Sequence, residues 1–399
     1  MLVFNSLGSN YSANFCWLAF SSIFHAKDLR PMLTNRLATQ FNGEVELFLK
    51  GRDAIEYSLM ALGIGRGDEV ITQAFCCSSI EEAVNRVGAK IQYADLLPGK
   101  TYPSLDSLEL ARQKSSNPKA VILQNLFGYR ADDKAIRAWV KKNNLLLIDD
   151  LAQSWAAKSG SISEDNADAL ILSFGRDKIV DAVSGGAAVV KNKKQQVSLS
   201  AKAANFVVVR DLLYPILTWM IRRTYSLQLG KALHFLAKKT GLMTNPIMSV
   251  VKNMSPLPKQ YSTLVLKRLE TLEDEILHRR EIAMIYYHGL KDLSAVRVVH
   301  DLTEIENGVN LRFIITCHQP QSLISFLSKK NIYISDRWYR KAIDCGSIDC
   351  PTSYSSGSCP NAEMMAQTVI NLPTHGEVSH QHAIRIVNEI INWSENYGN

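Results

Sequence analysis

Residues 170–190 read LILSFGRDKIVDAVSGGAAVV, and the fold turns on how this stretch is read. An apolar run stops at Ser173-Phe174, a short polar stretch carries one lysine, Lys178, and Ser184-Gly185-Gly186 opens a second apolar run. Short apolar runs bounded by turn residues are buried strands. A lysine held between two of them loses water. That disfavours its charged form, lowers its pKa, and leaves an amine able to attack carbonyl carbon and form a Schiff base.

The pattern continues on the N-terminal side. LLLIDD at 145–150 is another buried strand, ending in two carboxylates, and ADDKAIRAWVKKNN at 131–144 before it is a helix. Further back, DAIEYSLMAL (53–62) has helical spacing, EVITQAF (69–75) is a strand, SSIEEAVNRVG (78–88) is a helix ending at a glycine, AKIQYAD (89–95) is a strand, and PKAVILQNLFG (118–128) is a strand and loop. Strands alternating with helices of this length predict a mostly parallel sheet covered on both faces, with ligands collecting at the carboxyl ends of the strands. The domains are expected as an N-terminal segment over 1–45, a large α/β domain over 46–255 with a helical, apolar, basic insert at about 195–250, and residues 256–399 as a linking helix followed by a small α+β domain. KQYSTLVLKRLETLEDEILHRREIAMIYYHGLKDL at 259–293 reads as one long helix.

Composition narrows the function classes. A chain of 399 residues with 46% hydrophobic and 21% charged residues suits a globular enzyme. The formal charge of +7 permits contact with phosphates or anionic headgroups, but there is no basic arm or interleaved basic and aromatic run, so no nucleic-acid partner is expected. The seven cysteines form no CxxC pair and are expected to be reduced thiols of a cytoplasmic protein; the 345–359 group fits no zinc spacing, and no metal is expected. FVVVRDLLYPILTWMIRR at 206–223 is interrupted by Arg210, Asp211 and Pro215 and is too short to span a bilayer. It is a buried helix or dimer contact, or else a surface that docks peripherally on the inner membrane through about 206–240, where Trp219, Tyr225 and Phe235 accompany paired cations.

Pyridoxal phosphate needs a buried lysine, a carboxylate at its pyridine nitrogen, donors for its phosphate and a cover for its ring. Asp150, at a strand end, is the candidate to face the ring nitrogen. Gln153 is a candidate donor to the phenolic oxygen and Ser173 a candidate for the phosphate, and Gly51-Arg52-Asp53 leads a helix whose backbone N–H groups make an anion site. A solvated lysine or a structural carboxylate pair would account for any one of these alone. Their order and spacing together carry the reading.

Those residues lie in motifs that resemble the DegT/StrS-type sugar aminotransferases. GRDAIEYSLMALGIGRGDEVIT (51–72), VGAKIQYADL (87–96), NLFGYRADDKAI (125–136), LLLIDDLAQSWAA (145–157), LSFGRDKIVDAVSGGAAVV (172–190) and CPNAEMMAQTVINLPTHGEVS (359–379) carry the likeness. It is strong over 51–190, moderate over 259–395, and absent over 1–45 and 195–250. The resemblance implies a fold type I transferase with a mostly parallel seven-stranded sheet sandwiched by helices and a smaller C-terminal α+β domain. It implies homodimers with active sites shared at the interface, pyridoxal 5'-phosphate as cofactor, glutamate as amino donor and a keto sugar, usually nucleotide-linked, as acceptor. Lys178 is then the Schiff-base lysine and proton shuttle, with Asp150 at the pyridine nitrogen, Gln153 at the phenolic oxygen and Ser173 at the phosphate. A branch with histidine in place of the lysine dehydrates its substrate, and Lys178 argues against that branch.

Three positions depart from the family pattern. Arg52 stands where the family has threonine and either clamps a phosphate or carboxylate, or faces solvent or Asp53. Cys77 stands where a ring-covering residue is expected, with Phe75 or a shifted register as alternatives. Asn253 is the stand-in for the segment that reaches the partner's site. Arg337 and Tyr339 are candidates for the sugar pocket, and His375 reads as a structural loop histidine. The leading function is transamination of a keto sugar for polysaccharide or natural-product biosynthesis. Transamination of a lipid-linked or membrane-presented ketone and a non-catalytic binding or regulatory relative are the alternatives.

Overall fold

The computed structural model describes residues 2–130, 134–156, 167–199, 204–243, 254–335, 337–346 and 351–397. In chain order the elements are β1 (Val3–Phe4), α1 (Ala13–His25), α2 (Arg30–Phe41), β2 (Glu44–Phe48), α3 (Gly51–Ala61), β3 (Glu69–Gln73), β4 (Cys76–Cys77), α4 (Ser79–Arg86), β5 (Lys90–Ala94), α5 (Leu105–Lys114), β6 (Pro118–Gln124), α6 (Lys134–Lys142), β7 (Leu146–Asp150), β8 (Ala169–Ser173) and β9 (Gly186–Val190). There follow α7 (Asn205–Thr224), α8 (Leu229–Lys239), α9 (Lys259–Glu270), α10 (Leu272–Leu290), β10 (Arg297–Val298), α11 (Leu302–Asn307), β11 (Arg312–Thr316), α12 (Pro320–Lys329), β12 (Ile332–Tyr333), β13 (Ile343–Asp344), α13 (Pro360–Thr368), β14 (Val369–Pro373) and α14 (His380–Tyr397).

The seven-stranded sheet runs β2-β9-β8-β7-β6-β3-β5. The pairs from β8 to β5 are parallel, and β9 pairs antiparallel with both β8 and β2. Strand alternation sends Val70, Ile122, Ile148 and Ile171 into one core with α3 and α4, and Ile71, Val121, Leu147 and Leu170 into another with α1, α2, α7 and α9. Both faces are therefore dry, which is why these strands read as unbroken apolar runs. The chain crosses from β5 back past β3 to β6, and the crevice at that switch opens at the strands' carboxyl ends.

A small antiparallel sheet, β10-β11-β14, packs with α10, α12 and α14 around a separate core. Two short parallel pairs tie the parts together: β1 with β12, and β4 with β13. The segment expected as one helix over 259–293 is two helices, broken at Thr271 (φ −109°, ψ 10°). The bend has a packing reason. Leu264, Val265 and Leu269 of α9 belong to the core under the seven-stranded sheet, whereas Ile282, Ala283 and Tyr286 of α10 belong to the core around the small antiparallel sheet. Neither glycine nor proline marks the break. The two stretches that the sequence likeness left uncovered meet each other: α1 buries Phe15, Cys16 and Ala19 in the core that takes Val208 and Leu212 of α7.

Candidate active site

The carboxyl ends of β6, β7 and β8 open into a cavity of about 660 Å³. It is lined by Lys178, Asp150, Gln153, Ser173, Gly51, Arg52 and Cys77 of the residues singled out by sequence, and also by Arg337 and Tyr339.

Strand alternation gives the two carboxylates at the end of β7 different tasks. Asp149 is fully buried and paired with Arg130 at 2.9 Å and Arg137 at 2.6 Å, so it is structural. Asp150 faces the cavity, and one of its oxygens accepts from the Ala152 N–H at 2.9 Å. Burial pushes its carboxyl up to about 6, against the pull of the Ala152 N–H and the Lys178 charge. Burial acts the opposite way on Lys178: it lowers the pKa and favours the free amine, while Asp150 and Cys77 oppose it. The Lys178 Nζ lies 5.4 Å from the centre of the Trp338 ring.

The loop that presents Lys178 is braced by a single carboxylate. Asp181 accepts from the Asp177 N–H at 2.8 Å, the Val183 N–H at 3.0 Å, the Asn10 amide at 3.0 Å and the Tyr11 hydroxyl at 2.7 Å. Asp177 (φ +61°) and Val183 (φ +73°) take left-handed backbone there, which is uncommon for any side chain and an outlier for a β-branched one. The brace holds that backbone in place, two of its four donors coming from the N-terminal segment.

At the phosphate end, α3 starts at Gly51, with Lys50 as its cap residue. A Cβ at Gly51 would meet the Ser173 Oγ at 3.2 Å, and a Cβ at Gly186 would lie 2.7 Å from the Gly51 Cα. Both glycines let the helix start approach the ends of β8 and β9 closely, bringing Gly51 against Ser173. Lysine, carboxylate, hydroxyl and helix start form a donor set and a cradle that fit pyridoxal phosphate.

Other expectations fare differently. The Asp53 side chain does not line the cavity. It is buried behind α3, where it takes the Ser255 N–H at 3.4 Å and lies 3.8 Å from Arg86. Its own N–H is spent on the Lys50 carbonyl at 3.2 Å, so it offers nothing to an anion in the pocket. Arg52 faces neither solvent nor Asp53: it pairs with Glu82 at 2.5 Å. Phe75 packs on Phe127 and Tyr339 away from the cavity, whereas Cys77 lines it. Asn253 lies outside the described residues. Gln153 accepts from the Phe127 N–H at 2.7 Å and donates to the Tyr339 hydroxyl at 2.5 Å. His375 is buried against the Phe4 carbonyl at 2.8 Å, a structural place. Cys345 is disulfide-bonded, contrary to the expectation of reduced thiols throughout, because spacing along a chain does not say which thiols a folded loop brings together. Among the described residues no group of acidic, histidine and cysteine side chains is placed to hold a metal.

Sequence reasoning missed several lining residues. Trp338 sits between the two candidates Arg337 and Tyr339, and a wide aromatic there was a readable signal. Lys50, Arg176, Tyr214 and Lys238 also line the cavity; Arg176 pairs with Asp211 at 3.0 Å and stacks on Tyr214 at 3.7 Å. Only folding brings α7 and α8 to this place.

The chain matches the DegT/DnrJ/EryC1/StrS aminotransferase family over residues 48–209 and 243–391, and it belongs to that family. A pleiotropic regulatory protein of Geobacillus stearothermophilus is 25% identical over 343 residues, covering 85% of this chain and 82% of its own length. The dTDP-3-amino-3,4,6-trideoxy-alpha-D-glucose transaminase of Micromonospora megalomicea subsp. nigra is 22% identical over 346 residues, 85% of this chain and 82% of its own. The crystal structure of NtdA from Bacillus subtilis, with bound cofactor PMP, shares the fold at TM-score 0.72 and 18% identity, over 98% of this chain and 84% of that one. The mostly parallel seven-stranded sheet and the small C-terminal α+β unit are as the resemblance implied.

Proposed function

We propose that this chain is a pyridoxal-phosphate-dependent aminotransferase that moves an amino group from glutamate to a keto sugar linked to a nucleotide. The observation that carries the reading is the meeting of Lys178 and Asp150 in one cavity with Ser173 and the start of α3. Family membership and relatives named as nucleotide-sugar transaminases support it. Bound pyridoxal phosphate supplies an electron sink for the carbon that carries the migrating nitrogen. Asp150 holds a proton on the pyridine nitrogen, and its raised but still acidic carboxyl suits that task at neutral pH. Lys178, whose pKa burial lowers toward the free amine, takes a proton at Nζ from one carbon and returns it to another. Ser173 and the first amides of α3 bind the phosphate, Gln153 orients the ring, and Arg337, with Lys50 and Arg176 sharing the single carboxylate Asp211, leaves the wall cationic toward an anionic substrate. The working unit is a homodimer with shared sites, in the cytoplasm.

The decisive experiment is the visible spectrum of protein loaded with pyridoxal phosphate, before and after glutamate, beside Lys178→Ala. A yellow band that moves with glutamate and is altered in the variant is expected. Protein that stays colourless with added cofactor would overturn the reading in favour of a binding or regulatory relative. A second acceptor class, a ketone presented at a membrane, is favoured by one observation. α8, apolar and exposed on its outer side, puts Lys238 on the cavity wall, with Met243 just beyond it.

A further inference from the structure

The family match skips residues before 48 and residues 210–242, which hold α1, most of α7 and all of α8. α7 packs on α1, and α8 packs on α7, so the three helices lie side by side. On α1 the outer side is an aromatic row. Trp17, 69% exposed, and Phe24, 67% exposed, flank Phe20 with ring centres 5.9 and 5.7 Å apart. On α7, Phe206, Val209 and Met220 are exposed on the side opposite the buried Asp211, Pro215 and Thr218. Beyond it, Leu227, Leu229, Phe235 and Leu236 are all more than half exposed, Leu227 reaching 73%. So much large apolar surface on adjacent helices marks a contact surface.

Charge says what it contacts. Residues 204–243 hold Arg210, Arg222, Arg223, Lys231, Lys238 and Lys239 against a single carboxylate, Asp211, so this tenth of the chain supplies most of its net +7. Asp211 is buried and neutralised by Arg176 at 3.0 Å and Lys50 at 3.6 Å. The nearby carboxylates Asp28 and Glu377 are paired with Arg30 and Arg222. Arg223 lies over Trp219 at 5.7 Å, and Lys231 over Tyr225 at 5.5 Å. Apolar side chains rimmed by aromatic-backed cations suit the boundary between acyl chains and anionic headgroups. A two-fold contact with a second copy fits less well, because an isologous interface sets a patch against itself and these cations would meet cations. Among the described residues no helix is long and apolar enough to cross a membrane.

We infer that the α1–α7–α8 face docks on an anionic lipid surface. Trp17, Phe24, Leu229 and Phe235 enter the headgroup boundary, while Arg223, Lys231 and Lys239 meet lipid phosphates. Lys238 lines the cavity from the same helix, so a docked molecule holds its pocket beside the bilayer. Docking itself does not depend on the transaminase reading; only its use, to receive a membrane-presented acceptor, rests on the second acceptor class.

The test is co-sedimentation of the full-length protein with vesicles of phosphatidylcholine, alone or mixed with phosphatidylglycerol. Binding is expected on the mixed vesicles, weaker on phosphatidylcholine, and weakened by salt. Leu229→Glu with Phe235→Glu, both at exposed positions, should lower the bound fraction at least about tenfold. Lys231→Glu with Arg223→Glu should abolish the preference for phosphatidylglycerol. Circular dichroism and the cofactor spectrum should be unchanged in both, so loss of binding is not loss of fold. Wild-type protein left in the supernatant with both vesicles overturns the proposal. So does binding that survives both double variants, or light scattering without vesicles in which Leu229→Glu with Phe235→Glu splits a dimer, which would make the face a subunit interface.

Discussion

Asp53 carries its charge in a place without water. Burial pushes its carboxyl from the usual 3.8 up to about 6, with the Ser255 N–H and Arg86 pulling the other way. The folded state therefore holds that proton more tightly than the unfolded chain does. The stability from this group is present below about pH 4 and is lost as pH rises through about 6. Asp53→Asn should flatten the fall in unfolding free energy between those pH values by an amount on the order of 1–2 kcal/mol. Urea titrations at acid and neutral pH measure it, and parallel profiles for the two proteins would refute the assignment. Gly186 is constrained differently. Its would-be Cβ lies 2.7 Å from the Gly51 Cα and 2.9 Å from the Leu172 carbonyl oxygen, both backbone atoms. Gly186→Ala has to push α3 away from β9, at a cost of about 1–3 kcal/mol. It should weaken pyridoxal phosphate binding, read as the cofactor concentration needed to develop colour.

At the scale of the element, the loop between β8 and β9 is held by Asp181. Tyr11→Phe removes one of its four donors and should lower stability by about 1 kcal/mol. Asp181→Ala removes the brace and should release the left-handed turns at Asp177 and Val183. We expect kcat to fall more than KM rises, and the cofactor absorbance to shift because Lys178 no longer sits in one place. An unchanged spectrum with a lowered melting temperature would make Asp181 merely structural. Much of this element was readable in sequence: the strands, the lysine between them and the paired glycines are local signals. Its anchor was not, because Asn10 and Tyr11 lie some 170 residues away. The break between α9 and α10 was hidden for a similar reason: their helical periodicity is continuous, and only the two cores they enter require the bend.

Across the whole molecule, Arg279 is the joint. Fully buried on α10, it bonds Glu275 at 2.7 Å, the Thr374 hydroxyl at 3.1 Å, the Leu311 carbonyl at 3.2 Å and the Asn10 amide oxygen at 3.0 Å. Helix, small sheet and N-terminal segment therefore share one guanidinium. Arg279→Leu leaves Glu275 with Arg268 alone at 3.0 Å and strands the buried acceptors, so it should cost about 3–5 kcal/mol. Thermal unfolding followed by circular dichroism should show a lower midpoint, and limited proteolysis should show earlier release of the N-terminal segment. A melting point within error of wild type would mean that the parts are held by their apolar contacts alone.

Local sequence was enough for the alternation of strands and helices and for naming Lys178, Asp150, Gln153 and Ser173 as candidates, which line one cavity, because buried strands, strand ends and glycine-led helix starts are written in neighbouring residues. It also isolated an apolar, basic stretch near 206–240 without saying where that stretch goes. Tertiary structure alone decided that Asp149 turns inward to two arginines while Asp150 faces the cavity, that Asp53 lies behind its helix, and that α7 and α8 reach both the pocket and the outer surface. The physical reason is the range of the forces involved. Local periodicity records which side of an element is dry, but which charge meets which counter-charge depends on contacts between residues distant in the chain, and those exist only once the cores have closed.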